Sequence, residues 1–121
     1  MSNETAAARA VIERYIEGTR SGDVSMLKSA FHPAAMMVGY LGPDLLTGGP
    51  EPFYQAMEAN PPSAEAQAQY EPVISHLRVD GTVATATLEE KGVLGMNFVN
   101  HFLLIKDGEE WAINAKNFVV V

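Results

Sequence analysis

Glu90, Asn100, Asn117 and His101 are the side chains of this 121-residue chain whose types and spacing could do chemistry inside a folded domain. Glu90 follows Ala84, Ala86 and Leu88 at a period of two, so its carboxylate would share one face of a strand with three apolar residues. Taken out of water there, a carboxylate has a raised pKa and suits proton transfer as a general base. The same residue belongs to the charged run Glu89-Glu90-Lys91, which reads in the first instance as a strand end meeting solvent. Asn100 and Asn117 interrupt apolar strands; a buried amide must be hydrogen-bonded, so each has either a structural partner or a ligand. His101, with Asn114 and Lys116, makes a small polar cluster expected on the opposite face, solvated or interfacial. It joins Glu90 as a catalytic partner only if a bulge turns it inward.

Tyr15, Tyr40 and Tyr54 could each point a hydroxyl into a pocket, or pack in the core with the hydroxyl at the rim. Other chemistries lack their residues. His32, His76 and His101 show no ligand spacing and there is no cysteine, so no metal site and no disulfide are expected. Gly48-Gly49 and Gly92 to Gly95 lack the spacing of a phosphate-binding loop, and no serine-nucleophile motif is present, so no cofactor is expected either. The aspartates all have local structural roles, with Asp23 capping a helix, Asp44 in a Gly-Pro-Asp turn, and Asp80 and Asp107 in hairpins.

The elements that must position these residues are legible in the periodicity. Ala8, Val11, Ile12, Tyr15, Ile16 and Thr19 recur at helical spacing, with Ser2 or Asn3 able to cap the helix and Gly22 ending it. A short second helix is buried through Met26, Leu27, Ala30 and Phe31. Pro33 then forces His32 out of the helical region, into an extended run from Ala35 to Tyr40. A brief strand spans Leu45 to Thr47, and a third helix starts at Pro50 and buries Phe53 and Met57. After the Asn60-Pro61-Pro62-Ser63 loop everything reads as antiparallel sheet, with strands over Ala68–Val79, Thr82–Lys91, Met96–Lys106 and Glu109–Val121. Asp80-Gly81 and Asp107-Gly108 are the hairpin turns.

A two-residue turn fixes the register across it, so the faces follow. Around Asp107-Gly108, Leu104 opposes Trp111, Phe102 opposes Ile113, Asn100 opposes Ala115 and Phe98 opposes Asn117, forming an aromatic face turned toward the helices. Around Asp80-Gly81, Leu77 opposes Ala84 and Ser75 opposes Ala86, continuing to Val73 and Leu88. The expected pocket is therefore lined by Tyr15, Tyr40, Tyr54, Phe98, Asn100, Trp111 and Asn117. Leu103, Ile105, Phe118 and Val120 are expected on the outer face, an apolar patch that predicts a homodimer through the C-terminal sheet.

One domain spanning residues 1–121 fits the length, and 47% apolar with 19% charged residues is an ordinary globular composition. A net charge of -7, without a basic stripe, argues against nucleic acid as a ligand. No run is long enough to span a bilayer, and no basic n-region marks a secretion signal, so a cytoplasmic protein is expected.

Helix, short helix ending in Phe31-His32-Pro33, strand, helix, then four strands closing in Asp107-Gly108-Glu109-Glu110-Trp111-Ala112-Ile113 resembles the nuclear transport factor 2-like superfamily. Its lumazine-binding-like and polyketide-cyclase-like (SnoaL-like) branches look closest. The resemblance implies an α+β fold, with N-terminal helices packed into the concave face of a strongly curved, mostly antiparallel sheet, a cystatin-like cone. It also implies a range of functions: isomerases, dehydratases, cyclases, epoxide hydrolases and transport adaptors. Enzymes of the superfamily commonly use an interior Asp, and no Asp here is left for that role. A pocket with amide anchors but no assembled acid–base pair points to a protein that binds a small hydrophobic or aromatic molecule. The alternative is a cofactor-independent isomerase, dehydratase or cyclase with Glu90 as base and a tyrosine or His101 as its partner.

Overall fold

The computed structural model of the protein describes residues 3–121. Helix α1 (Asn3–Ser21) buries Ala8, Val11, Ile12, Tyr15, Gly18 and Thr19, the face set by its periodicity. Ser2, a candidate cap, lies outside the described residues. Asp23 caps α2 (Val24–Ala30) by accepting from the Met26 backbone N–H at 3.0 Å. Strand β1 (Phe31–Leu41) starts as soon as α2 ends, because Pro33 cannot continue the helix. Strand β2 (Asp44–Gly48) follows, and then α3 (Glu51–Ala59), where Phe53 packs on the core and Met57 is buried.

A fourth helix, α4 (Ala64–Gln69), occupies residues where the sequence predicts loop and strand. Ser63 caps it by accepting from the Ala66 backbone N–H, and Ala64, Ala66 and Ala68 are strong helix formers. The last four strands are β3 (Glu71–Asp80), β4 (Val83–Val93), β5 (Met96–Asp107) and β6 (Glu110–Val120). They complete a curved, open six-stranded sheet of order β2-β1-β6-β5-β4-β3. All pairs are antiparallel except β1 with β6, which run parallel. The helices cover one face of the sheet, and the main core lies between them.

Register departs from expectation in two ways. Asp80 pairs with Val83 and Asp107 with Glu110, so the turns are Gly81-Thr82 and Gly108-Glu109 rather than Asp-Gly. Glycine takes the first turn position with φ near +60° (58° and 63°) and the second position has no positive φ, the pattern of a turn that places Gly first rather than second. This slides each pairing by two residues and leaves the faces unchanged. Trp111 thus opposes Lys106, and Leu104 opposes Ile113.

Beyond Ile113 the faces do change. Leu103 pairs with Ala115, which leaves Asn114 as an extra residue in β6, a β-bulge. Every later side chain of β6 is thereby reversed: Lys116, Phe118 and Val120 turn toward the helices, and Ala115, Asn117 and Val119 turn away. A second bulge, at Ser75, does the same in β3, turning Ile74 onto the core and leaving Val73 exposed.

Candidate functional site

Strand β4 carries Leu88 and Glu90 inward, opposite Asn100 and Phe98 of β5. Glu90 is not a strand end in water: β4 continues to Val93, and Glu90 is only 3% exposed. Its carboxylate is held from both sides. Tyr70, just after α4, donates its hydroxyl to Oε2 at 2.5 Å, and Asn100 donates Nδ2 to Oε1 at 2.7 Å. Asn100 also donates to the Leu88 carbonyl at 3.1 Å, so its side chain has structural partners. Burial pushes the Glu90 carboxyl above its ordinary value, while Lys116 and the two donors pull it back down.

Lys116 reaches the same interior because of the Asn114 bulge. It opposes Phe102, is buried, and donates Nζ to the Tyr15 hydroxyl at 2.6 Å. Its ammonium sits over the rings of Phe53, Tyr15 and Phe118, at 4.5, 5.0 and 5.4 Å from their centroids. Burial lowers its pKa to about 8, against the attraction of Glu90. Burial raises the Tyr15 and Tyr70 hydroxyls well above their ordinary value, so both stay protonated as donors. Among the described residues no ion pair joins Lys116 to Glu90; both instead line one cavity.

That cavity has a volume of about 110 Å³, and its walls are mainly apolar: Met37, Phe53, Val93, Leu94, Phe98 and Phe118 surround the polar side chains. Val93 and Leu94 also border a wider groove of about 490 Å³ that runs over Tyr70, Pro62 and Arg20. The β4–β5 turn is thus the partition between groove and cavity. Its two residues, Leu94 and Gly95, both have positive φ, 52° and 76°. Such a turn ordinarily has Asn-Gly, and a leucine there carries backbone strain of about 1 kcal/mol.

Of the residues expected at the pocket, Tyr15, Phe98 and Glu90 line the cavity, and Asn100 braces it from behind. Four others lie elsewhere. Tyr40 points outward on β1 opposite Val119 and is half exposed, and Asn117 points outward opposite His101, donating to the Val38 carbonyl. Tyr54 of α3 packs edge-on against Phe31, and burial raises its hydroxyl to about 12. Trp111 is buried in the core near the β5–β6 turn, away from the cavity. His101 bonds Thr87 on the outer face, so it cannot serve as partner to Glu90. Residue spacing did not single out Tyr70, and it placed Lys116 on the wrong face. The one available signal for Lys116 was a lone lysine in the apolar run Trp111 to Val121.

Among the described residues no three His, Asp or Glu side chains come together as metal ligands. No helix is long and apolar enough to cross a membrane.

A curved sheet closed by N-terminal helices around buried polar groups defines a nuclear transport factor 2-like protein with the cystatin-like fold. More narrowly, the chain belongs to the family described as "Putative lumazine-binding", whose family model matches residues 3–119. Similar solved structures include a nuclear transport factor 2-like protein of unknown function from Methylobacillus flagellatus, at 27% identity and a TM-score of 0.90. The match covers 100% of this chain and 94% of that one. Another such protein, from Silicibacter pomeroyi, is 25% identical over 100% of both chains with a TM-score of 0.87. A cystatin-like fold protein from Burkholderia xenovorans shares the fold at 15% identity and a TM-score of 0.71, covering 97% of this chain and 91% of that one. No curated protein matches the chain.

Proposed function

We propose that the protein binds a small, flat, largely apolar molecule in the interior cavity, held at its edge by Lys116 and Glu90. The observation that carries this reading is a buried ammonium and a buried carboxylate lining one apolar cavity without pairing to each other. A lysine ammonium has three N–H donors, and one goes to Tyr15; the others suit a carbonyl oxygen of a ligand. Glu90 offers an acceptor for a ligand N–H or O–H. Membership of a lumazine-binding family supports a heteroaromatic ligand with both kinds of group.

Size sharpens the expectation. An apolar cavity of roughly 150 Å³ holds benzene, so a cavity of about 110 Å³ takes at most a single small ring as it stands. A two-ring ligand requires Leu94 to swing toward the groove. Thermal-shift measurements with one-ring and two-ring heteroaromatic compounds test this: binding to the native state must raise the melting temperature. A rise that Lys116→Met and Glu90→Gln both abolish supports the site, and no rise across a broad set of such compounds overturns it.

A second reading, a cofactor-independent isomerase, dehydratase or cyclase, is favoured by the desolvated carboxyl of Glu90. Raised in pKa and flanked by protonated tyrosines, Glu90 suits proton abstraction next to a carbonyl that Lys116 polarises. An NMR titration that puts Glu90 at the ordinary glutamate value removes the basis of this reading.

The protein is also proposed to be a homodimer through the outer face of the sheet. Phe118 and Val120 do not contribute, since the bulge turns them inward. Met36, Tyr40, Leu103 and Val119 do, being 49%, 49%, 49% and 41% exposed on adjoining strands. Pairing with a two-fold copy would cover them. In light scattering, a mass near 13.1 kDa overturns the dimer, and twice that mass, lost on Leu103→Glu, supports it.

A further inference from the structure

We propose that Lys116 is a carbonyl-reactive amine, whose Nζ adds to a small aldehyde or ketone lodged in the interior cavity and holds it as an imine. The inference rests on the reading of that cavity as a ligand pocket and adds a covalent step to it.

The geometry sets Lys116 apart from the other lysines. Lys28 and Lys91 are exposed, and Lys106 is paired with Glu4 at 2.7 Å, an interaction that raises its pKa and keeps its amine protonated. Lys116 is buried, lines an apolar cavity, and has no carboxylate in ion-pair contact among the described residues. An amine so placed releases its proton at lower pH than a surface lysine does, and the free lone pair is the nucleophile. Met37, Phe53, Phe98 and Phe118 give the hydrocarbon part of a carbonyl compound apolar walls to pack against beside Nζ. The volume of about 110 Å³ selects a short aliphatic or single-ring carbonyl compound.

The chemistry balances without a further reagent. The Nζ lone pair attacks the carbonyl carbon; a C–N bond forms, the C=O π bond breaks, and one Nζ proton passes to the oxygen, giving a carbinolamine. The C–O bond then breaks, and the hydroxyl departs as water with the second Nζ proton as the C=N bond forms. Tyr15, whose hydroxyl lies 2.6 Å from Nζ, and Glu90, across the cavity, are the groups placed to carry these protons.

The test treats the full chain with butanal or benzaldehyde and sodium cyanoborohydride at neutral pH, then maps the reduced adducts by peptide mass spectrometry. Benzyl alcohol, a similar shape without a carbonyl, is measured in parallel by thermal shift. The chain's α-amine, with an ordinary pKa of about 8, also reacts and is mapped separately. Among the lysines the expected result is a dominant adduct at Lys116, exceeding that at Lys28, Lys91 or Lys106 by roughly tenfold or more. It should vanish in Lys116→Arg, which keeps a cation but cannot form the imine. Mapping on the unaltered chain keeps the result independent of whether that variant folds. Adducts confined to the exposed lysines overturn the inference. If benzyl alcohol still raises the melting temperature in that case, the pocket survives and only the covalent step fails; if it does not, both fall.

Discussion

Replacing Lys116 with methionine isolates the electrostatic cost of the buried amine. Methionine is unbranched and similar in length, so contact with Tyr15, Phe53 and Phe118 is largely kept while the charge is removed. Burial lowers the Lys116 pKa from 10.5 to about 8. Between those values the unfolded chain holds a proton that the folded chain has released, so stability rises with pH across that window. The whole difference corresponds to about 3 kcal/mol, of which about 2 kcal/mol develops between about pH 8 and about pH 9.5. Tyr15 and Tyr70, raised by burial, act in the opposite sense, but only once the unfolded chain's tyrosines ionise near about pH 10, above the range measured. In Lys116→Met the rise is lost. Glu90 also loses the cation that pulled its pKa down, so the folded variant keeps that proton to higher pH. A carboxyl raised in the folded state makes stability fall as pH climbs above its ordinary value, so the two curves must diverge. Urea unfolding of both proteins at fixed concentration, stepped from about pH 6 to about pH 9.5, reads the effect directly. Parallel stability curves would refute the argument, since they would mean that Lys116 titrates alike in the folded and unfolded chains.

Three further outcomes follow from named contacts. Tyr70→Phe deletes the hydroxyl that donates to Glu90 Oε2, and is expected to cost about 1–3 kcal/mol and to raise the Glu90 pKa further. Carbon-13 NMR titration of Glu90 checks it, and an unchanged midpoint counts against the bond. Gly39→Ala would drive a methyl group into the Phe118 carbonyl oxygen and its ring, at the parallel pairing of β1 with β6. A loss of about 1–3 kcal/mol is expected in thermal unfolding, and no loss would mean that the two strands do not approach so closely. Asp23→Ala removes the cap of α2 and should cost about 1 kcal/mol by urea unfolding, unless the Met26 N–H finds another acceptor.

Local chemistry was enough to read much of this protein from its residues. Apolar spacing in α1, Pro33 at the entry to β1, Pro50 before α3 and the glycines of both late hairpins each act within a few residues, so their consequences can be derived without long-range information. The alternation Ala84, Ala86, Leu88, Glu90 likewise put Glu90 on the inner face, and Phe98 and Asn100 followed by the same period. Its depth was another matter: the charged run around Glu90 reads as solvent-exposed until Tyr70 and Asn100 are seen to close over it. The parallel pairing of β1 with β6 joins segments far apart in the chain, such as Met37 and Lys116, and leaves no local signature. The bulge at Asn114 matters most. One unpaired residue reverses a whole strand, and whether it forms depends on how β5, β6 and the helices pack together, not on the residues beside it. That single decision moved Asn117 out of the pocket and brought Lys116 into it. The sequence thus determined most of the elements and put Tyr15, Glu90, Phe98 and Asn100 on the inner side, because each follows from local period; tertiary packing, through strand register and the docking of α4, decided that Lys116 and Tyr70 meet them.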